Sequence, residues 1–199
     1  MLVRLIFAVV MAAELAALPP YSFSGRVVAI ADGDTLTVLD ADNRQHVIRL
    51  AGIDAPESSQ AFGQRSKQNL SRLVFGKQVT LECETGQESF GREICKVTGP
   101  DGNDDCLQQV RDGMAWHYKQ YQSEQTRADR GSYAAAEDAA REAHLGLWSD
   151  PHPMMPQDYR HGTQSRLCFD QGNHRVDCGA VYAGPVRGNR RSHIYQWPA

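Results

Sequence analysis

Several features that would assign this chain to a broad class are missing from it. No apolar run approaches the roughly 20 residues of a membrane-spanning helix, since residues 5–13 (LIFAVVMAA) stop well short. None of the five cysteines, Cys83, Cys95, Cys106, Cys168 and Cys178, forms a C-x-x-C pair. A zinc site of the usual spacing is therefore unsupported. Positive charge is not in excess: the net charge is −3 at pH 7, which argues against a broad phosphate-binding surface. The seven histidines are scattered, and no Ser/His/Asp set or Cys/His pair of convincing context accompanies them. No internal repeat is visible.

What is present begins with a targeting pattern. Arg4 precedes the apolar run and the small residues Ala16 and Ala17 follow it, which reads as a signal peptide over residues 1–17. Export to a secreted or periplasmic location is the expectation, and five cysteines suit an oxidising compartment. Two disulfides and one free thiol is the natural count. Cys83 could pair with Cys95 across two strands, or Cys95 with Cys106, while Cys168 and Cys178 close a short loop near the C-terminus. Charge also divides along the chain. Residues 24–150 carry 14 Lys/Arg against 20 Asp/Glu, whereas residues 151–199 carry six arginines against three aspartates. A local site with a metal and a few arginines remains compatible with that balance.

Residues 25–30, 35–39 and 45–50 are short and rich in β-branched residues, which predicts three strands. Asp40-Ala41-Asp42-Asn43 supplies hairpin chemistry between the second and third. Residues 62–75 read as a helix with Phe62, Leu70, Leu73 and Val74 on one face and Gly76 as its stop. Strands over 78–82 and 94–98 follow, then a short helix over 104–112 ending at Gly113. A final Ala-rich helix is predicted to start at a Ser132 cap, run to about Leu145 and close at Gly146. This ordering predicts an α+β fold, a five-stranded barrel of the oligonucleotide-binding (OB) type with three α-helices. Pro151, Pro153 and Pro156 mark a boundary. The domain is expected over 24–150, followed by a linker and a short, irregular, Arg-rich C-terminal tail over 151–199.

Asp32-Gly33-Asp34-Thr35 taken alone is a hairpin turn. The segment from Arg49 through Asp54 and Ala55 to Glu57, stiffened by Pro56, brings three charges close together. Alone it reads as an exposed corner with a solvated ion pair. Arg92 adds a second arginine at the start of a later strand. Acting together, two carboxylates make a hard-cation site suited to calcium. A further carboxylate can take a proton from an oriented water. Two guanidiniums can grip a phosphate and offset charge in the transition state. That combination is phosphodiester hydrolysis.

Five stretches, 30–35 (IADGDT), 49–57 (RLAGIDAPE), 90–92 (FGR), 113–121 (GMAWHYKQY) and 145–149 (LGLWS), closely resemble the staphylococcal nuclease (thermonuclease) family in order and spacing. The resemblance spans about residues 25–150. It implies that Asp34, Asp54 and the backbone carbonyl of Ala55 bind Ca2+, that Glu57 is the general base, and that Arg49 and Arg92 bind the phosphate. It also implies that Tyr121 lines the nucleotide pocket, with Phe90 replacing a second tyrosine there. DNA and/or RNA would be cut to leave a 3′-phosphate, by a monomer without stable membrane association. Residues 188–198 (GNRRSHIYQWP) resemble an appendage of some of these nucleases, with Gln196 where a His is common. The alternative is a catalytically silent OB-type module that binds nucleic acid or protein. Against it stands the presence of all five side chains.

Overall fold

The computed structural model describes residues 20–88, 91–160, 167–169 and 175–177. The expected signal segment, Phe90, a Cys168–Cys178 bridge and residues 188–198 lie outside what is described. Two units are resolved, dividing between Pro151 and His152. Among the described residues no helix is long and apolar enough to cross a membrane.

Two-residue alternation, interrupted by a register shift in β1 between Val27 and Ala29, builds the barrel. Strands β1 (Tyr21–Ile30), β2 (Thr35–Leu39), β3 (Gln45–Leu50), β5 (Gln78–Glu88) and β6 (Glu93–Thr98) close in the order β1-β2-β3-β6-β5. Val27, Leu36, Val38, Ile48, Leu50, Val79, Leu81 and Val97 point inward and are buried. Burying each such side chain contributes roughly 1.5–3 kcal/mol. All pairings are antiparallel except β3 with β6, which is parallel and brings Arg49 beside Ile94. The turn before β3 follows its chemistry: Asp40 accepts from the amides of Asp42 and Arg44, and Asn43 takes a left-handed φ of 60°.

Three helices cover the barrel: α1 (Gly63–Val74), α2 (Asp105–Arg111) and α3 (Arg127–Glu142). α1 buries Leu70 and Val74 in the main core, while Phe62 joins a second cluster of Trp116, Ala140, Leu147 and Trp148. The two tryptophans meet edge to face at 5.4 Å, and the Arg141 guanidinium lies 3.8 Å over Trp148. α3 corrects the expected boundary. Ser132 sits inside it, and Thr126 is the cap, accepting from the Asp129 amide at 3.0 Å. The helix runs through Gly131 because Tyr133, almost fully buried, anchors that turn in the core. At its other end His144 turns left-handed (φ 52°), and Gly146 opens a 3-10 turn over Gly146–Ser149 instead of closing the helix.

Two residues of β4 (Ile53–Asp54) pair antiparallel with two of β7 (Trp116–His117). Neither pair is long enough to show a period, so no sequence pattern announces this ladder. Beyond Pro151 the second unit contains a short helix α4 (Pro156–Arg160) and a hairpin of β8 (Leu167–Phe169) with β9 (Arg175–Asp177).

Cys83 and Cys95 face each other across β5 and β6 and are joined in a disulfide, while Cys106 is free and buried. Of the two open pairings, the cross-strand one forms because the register sets these residues directly opposite. The Cys106 thiol instead accepts from the Val97 amide at 3.4 Å. A bridge over this short span is expected to stabilise by about 2–3 kcal/mol, mainly by restricting the unfolded chain. Urea titration of wild type and of a Cys83→Ser/Cys95→Ser variant should show that difference. Equal midpoints would mean that the bridge does not tighten this fold.

His46 ties β3 to its neighbours at the barrel surface. Its ring nitrogens meet Asp40 at 3.0 Å and Glu93 at 2.8 Å, and Tyr21 donates to the other oxygen of Glu93 at 2.6 Å. Partial burial alone would lower the imidazole pKa, but the hydrogen bonds and charges of Asp40 and Glu93 outweigh it and raise the value above 6.5. A raised folded-state pKa contributes stability that is complete below the unfolded value near 6.5 and fades as pH climbs through the folded one. His46→Gln should therefore flatten the stability profile between pH 6 and 8. Melting curves across that range that fall equally steeply for both proteins would contradict this assignment.

Candidate active site

The turn between β1 and β2 sets the first carboxylate. Asp34 donates its amide to Asp32 Oδ1 at 3.1 Å, and the Ala31 amide reaches Thr35 O at 2.9 Å. The turn passes close to α1. A Cβ on Gly33 would overlap the Ser66 side chain and crowd the Ala55 Cβ, so only glycine fits there. Gly52, with φ 74°, makes the next sharp turn between β3 and β4. Its carbonyl accepts from Tyr118 at 2.9 Å, which together with the β4–β7 ladder fixes the strand carrying Asp54.

Both carboxylates are buried, Asp34 at 6% exposure and Asp54 at 3%. Arg49 lies opposite Thr35 in the β2–β3 register and its guanidinium joins them. Nη1 is 3.1 Å from Asp34 Oδ2 and Nη2 is 3.0 Å from Asp54 Oδ1. The same Nη1 donates to the carbonyls of Leu50 at 3.0 Å and Ile53 at 2.9 Å. Asp34 also accepts from the Ala55 amide at 2.7 Å and from Thr35 Oγ1 at 3.1 Å. Arg92 enters from the start of β6, donating to that Thr35 hydroxyl at 3.3 Å.

Glu57 follows two residues after Ala55 and is half-buried. Its backbone is held by a reciprocal pair: the Glu57 amide donates to Gln60 Oε1 at 3.1 Å, and the Gln60 amide to Glu57 O at 2.8 Å. Tyr121 lies in a 3-10 turn after β7, 46% exposed, its ring 5.1 Å from that of Tyr118. Asp34, Arg49, Asp54, Ala55 and Arg92 thus form one connected cluster. Sequence reasoning missed Thr35, which couples Arg92 to Asp34, and Gln109, a fully buried amide that donates to Gly33 O at 2.6 Å.

The electrostatics favour an added cation. Burial pushes the Asp34 carboxyl up to about 7; Arg49 opposes that rise, and Asp32 and Asp54 add to it. One guanidinium against two buried carboxylates leaves negative charge undercompensated. The donors are all oxygens, two carboxylates with the Ala55 carbonyl next along the chain. That set fits a hard divalent cation such as calcium. Cys83, Glu93 and Cys95 also bring ligand atoms within 4.8 Å of one another. Both sulfurs are committed to the disulfide, so no thiolate is offered there.

Residues 47–150 match the family described as Staphylococcal nuclease homologue. The chain is 42% identical over 145 residues to an uncharacterized endonuclease of Haemophilus influenzae, covering 73% of this chain and 77% of that protein. It is 41% identical over 152 residues to a micrococcal nuclease of Shigella flexneri, covering 72% and 83%. An uncharacterized endonuclease of Escherichia coli O157:H7 is 38% identical over 137 residues, covering 69% and 84%. The matched segment includes Arg49, Asp54, Ala55, Glu57, Arg92 and Tyr121, while Asp34 joins them through the barrel. On this match and these identities, the chain belongs to the staphylococcal nuclease homologue family.

Proposed function

We propose that this protein is an exported, calcium-dependent nuclease that hydrolyses phosphodiester bonds of DNA and/or RNA. The observation that carries the reading is the convergence of two buried carboxylates on one arginine, with the Asp34 carboxyl pushed up to about 7. Relatives named as endonucleases and a micrococcal nuclease support it. Asp34, Asp54 and the Ala55 carbonyl would hold the calcium. When bound, the ion supplies orientation for the attacking water and offsets charge on the phosphate.

Glu57 takes the proton of the attacking water as the new P–O bond forms. Its short backbone-anchored loop limits the positions its carboxylate can explore. The bond to the 5′-oxygen breaks and that oxygen takes up a proton from solvent, leaving a 3′-phosphate and a 5′-hydroxyl. Arg49 and Arg92, both tied to Asp34, directly or through Thr35, offer fixed positive charge where the phosphate gains negative charge. Tyr121 supplies an exposed ring for a base to lie against. The apolar segment after Arg4 and the Cys83–Cys95 bridge support a secreted or periplasmic location, and the protein acts there as a monomer.

Plasmid nicking tests the reading: cleavage with calcium and none with EDTA is expected, whereas a silent binding module would shift plasmid mobility without cutting. Glu57→Gln should retain calcium affinity and lose on the order of 10²- to 10⁴-fold in kcat. Asp34→Ala should chiefly raise the calcium concentration required. A Glu57→Gln protein as fast as wild type at saturating calcium would remove the general base from this mechanism.

A further inference from the structure

Gln109 is a polar side chain with no exposure, set beside two other buried polar residues, Ser66 and Asn69. Burying an amide is costly unless each of its groups finds a partner. Here both do. Nε2 donates to Gly33 O at 2.6 Å and approaches Ser66 O at 3.3 Å, and Oε1 accepts from Asn69 Nδ2 at 2.6 Å. Asn69, itself 4% exposed, donates also to Asp112 Oδ2 at 2.7 Å and accepts from Arg72. Gln108 donates to the other oxygen of Asp112 at 2.8 Å. Two amides therefore link α1 and α2 to the turn that carries Asp34.

The held carbonyl belongs to the peptide joining Gly33 to Asp34. Rotating that peptide plane would swing the Asp34 Cα–Cβ bond. On its far side the Asp34 carboxylate is fixed by Ala55, Thr35 and Arg49. On its near side no side chain can brace the turn through residue 33, because Gly33 has none and a Cβ there would overlap Ser66. Gln109 supplies that brace from the helix. An apolar side chain of equal size would fill the space equally well. It would leave the Gly33 carbonyl without this donor, and the turn's other bonds, from the Asp34 amide to Asp32 Oδ1 and from the Ala31 amide to Thr35 O, do not engage that carbonyl.

We infer that Gln109, oriented by Asn69, is a positioning residue that presets the Asp34 carboxylate for cation binding and so for catalysis. This rests on the calcium-dependent reading above. Outer partners of metal-ligating groups change affinity or activity by about 10- to 100-fold when removed. Both amides are buried away from solvent, so the effect should fall on calcium affinity and kcat, leaving KM for DNA unchanged.

Gln109→Met tests this, because it preserves length and volume and deletes both hydrogen-bonding groups. Calorimetric titration of calcium should show affinity weakened by at least about tenfold, with a cooperative melt retained and the Asp34 amide resonance shifted in calcium-free protein. Wild-type calcium affinity and an unmoved Asp34 resonance, whatever the melting temperature, would reduce Gln109 to a core residue and overturn the inference. If Gln109→Met does not melt cooperatively, Asn69→Leu decides by the same titration, with a weakening of several-fold expected. Failure of both to fold would show that the amides serve the core alone and would also overturn it. A wild-type protein that neither binds calcium nor cuts DNA would instead refute the functional reading itself.

Discussion

The guanidinium of Arg49 is the junction on which the site depends. It sits on a strand of the barrel, yet its partners come from two other places besides the end of that strand. Asp34 comes from the turn before β2, Asp54 and the carbonyl of Ile53 from the two-residue strand after Gly52, and the carbonyl of Leu50 from the end of β3 itself. Without it, two buried carboxylates would face each other with no counter-charge, and breaking a buried ion pair in this way typically costs about 3–5 kcal/mol. Folding therefore assembles a carboxylate pair that is held but not neutralised. Burial first, and then the neighbouring carboxylates Asp32 and Asp54, raise the Asp34 carboxyl against the pull of Arg49.

The rest of the molecule serves to hold those few groups in register. The barrel fixes Thr35 opposite Arg49 and, through its one parallel pairing, brings β6 alongside so that Arg92 reaches Thr35. The Cys83–Cys95 bridge closes the base of the hairpin that carries Arg92. Trp116 and Trp148 pack together behind the β4–β7 ladder, which supports the strand of Asp54. Buried amides from the helices brace the turn of Asp34. Apolar packing supplies the rigidity, and a small number of hydrogen bonds direct it toward one cluster.

Net charge illustrates why global quantities say little about such a site. A chain of net −3 can still present positive charge locally, because the field there is set within a few ångströms by groups such as Arg49 and Arg92. Exposed acidic residues away from the cluster include Asp42, Glu82, Asp101, Glu124, Asp138 and Glu142. Those charges affect long-range attraction and its salt dependence more than the chemistry at the cluster.

Local patterns were sufficient for the parts of the structure whose cause is local. Alternating apolar residues in 35–39 and 45–50 specified their strands to the residue, and the Asp-rich turn at 40–43 adopted the bonds its side chains predict. The charged residues of 49–57 were legible as a candidate site because they lie close in sequence. What only the tertiary structure decided involves partners that lie far apart in the chain. Gln109 reads as an ordinary helix residue until its amide meets Gly33, 76 positions away. The β4–β7 ladder is too short to carry a period, and Ser132, a residue type favoured at caps, lies inside the helix because burial of Tyr133 carries it straight through. Sequence periodicity encodes which face of an element is buried. It does not encode which distant polar group that face will meet, and in this protein those meetings decide where the carboxylates point.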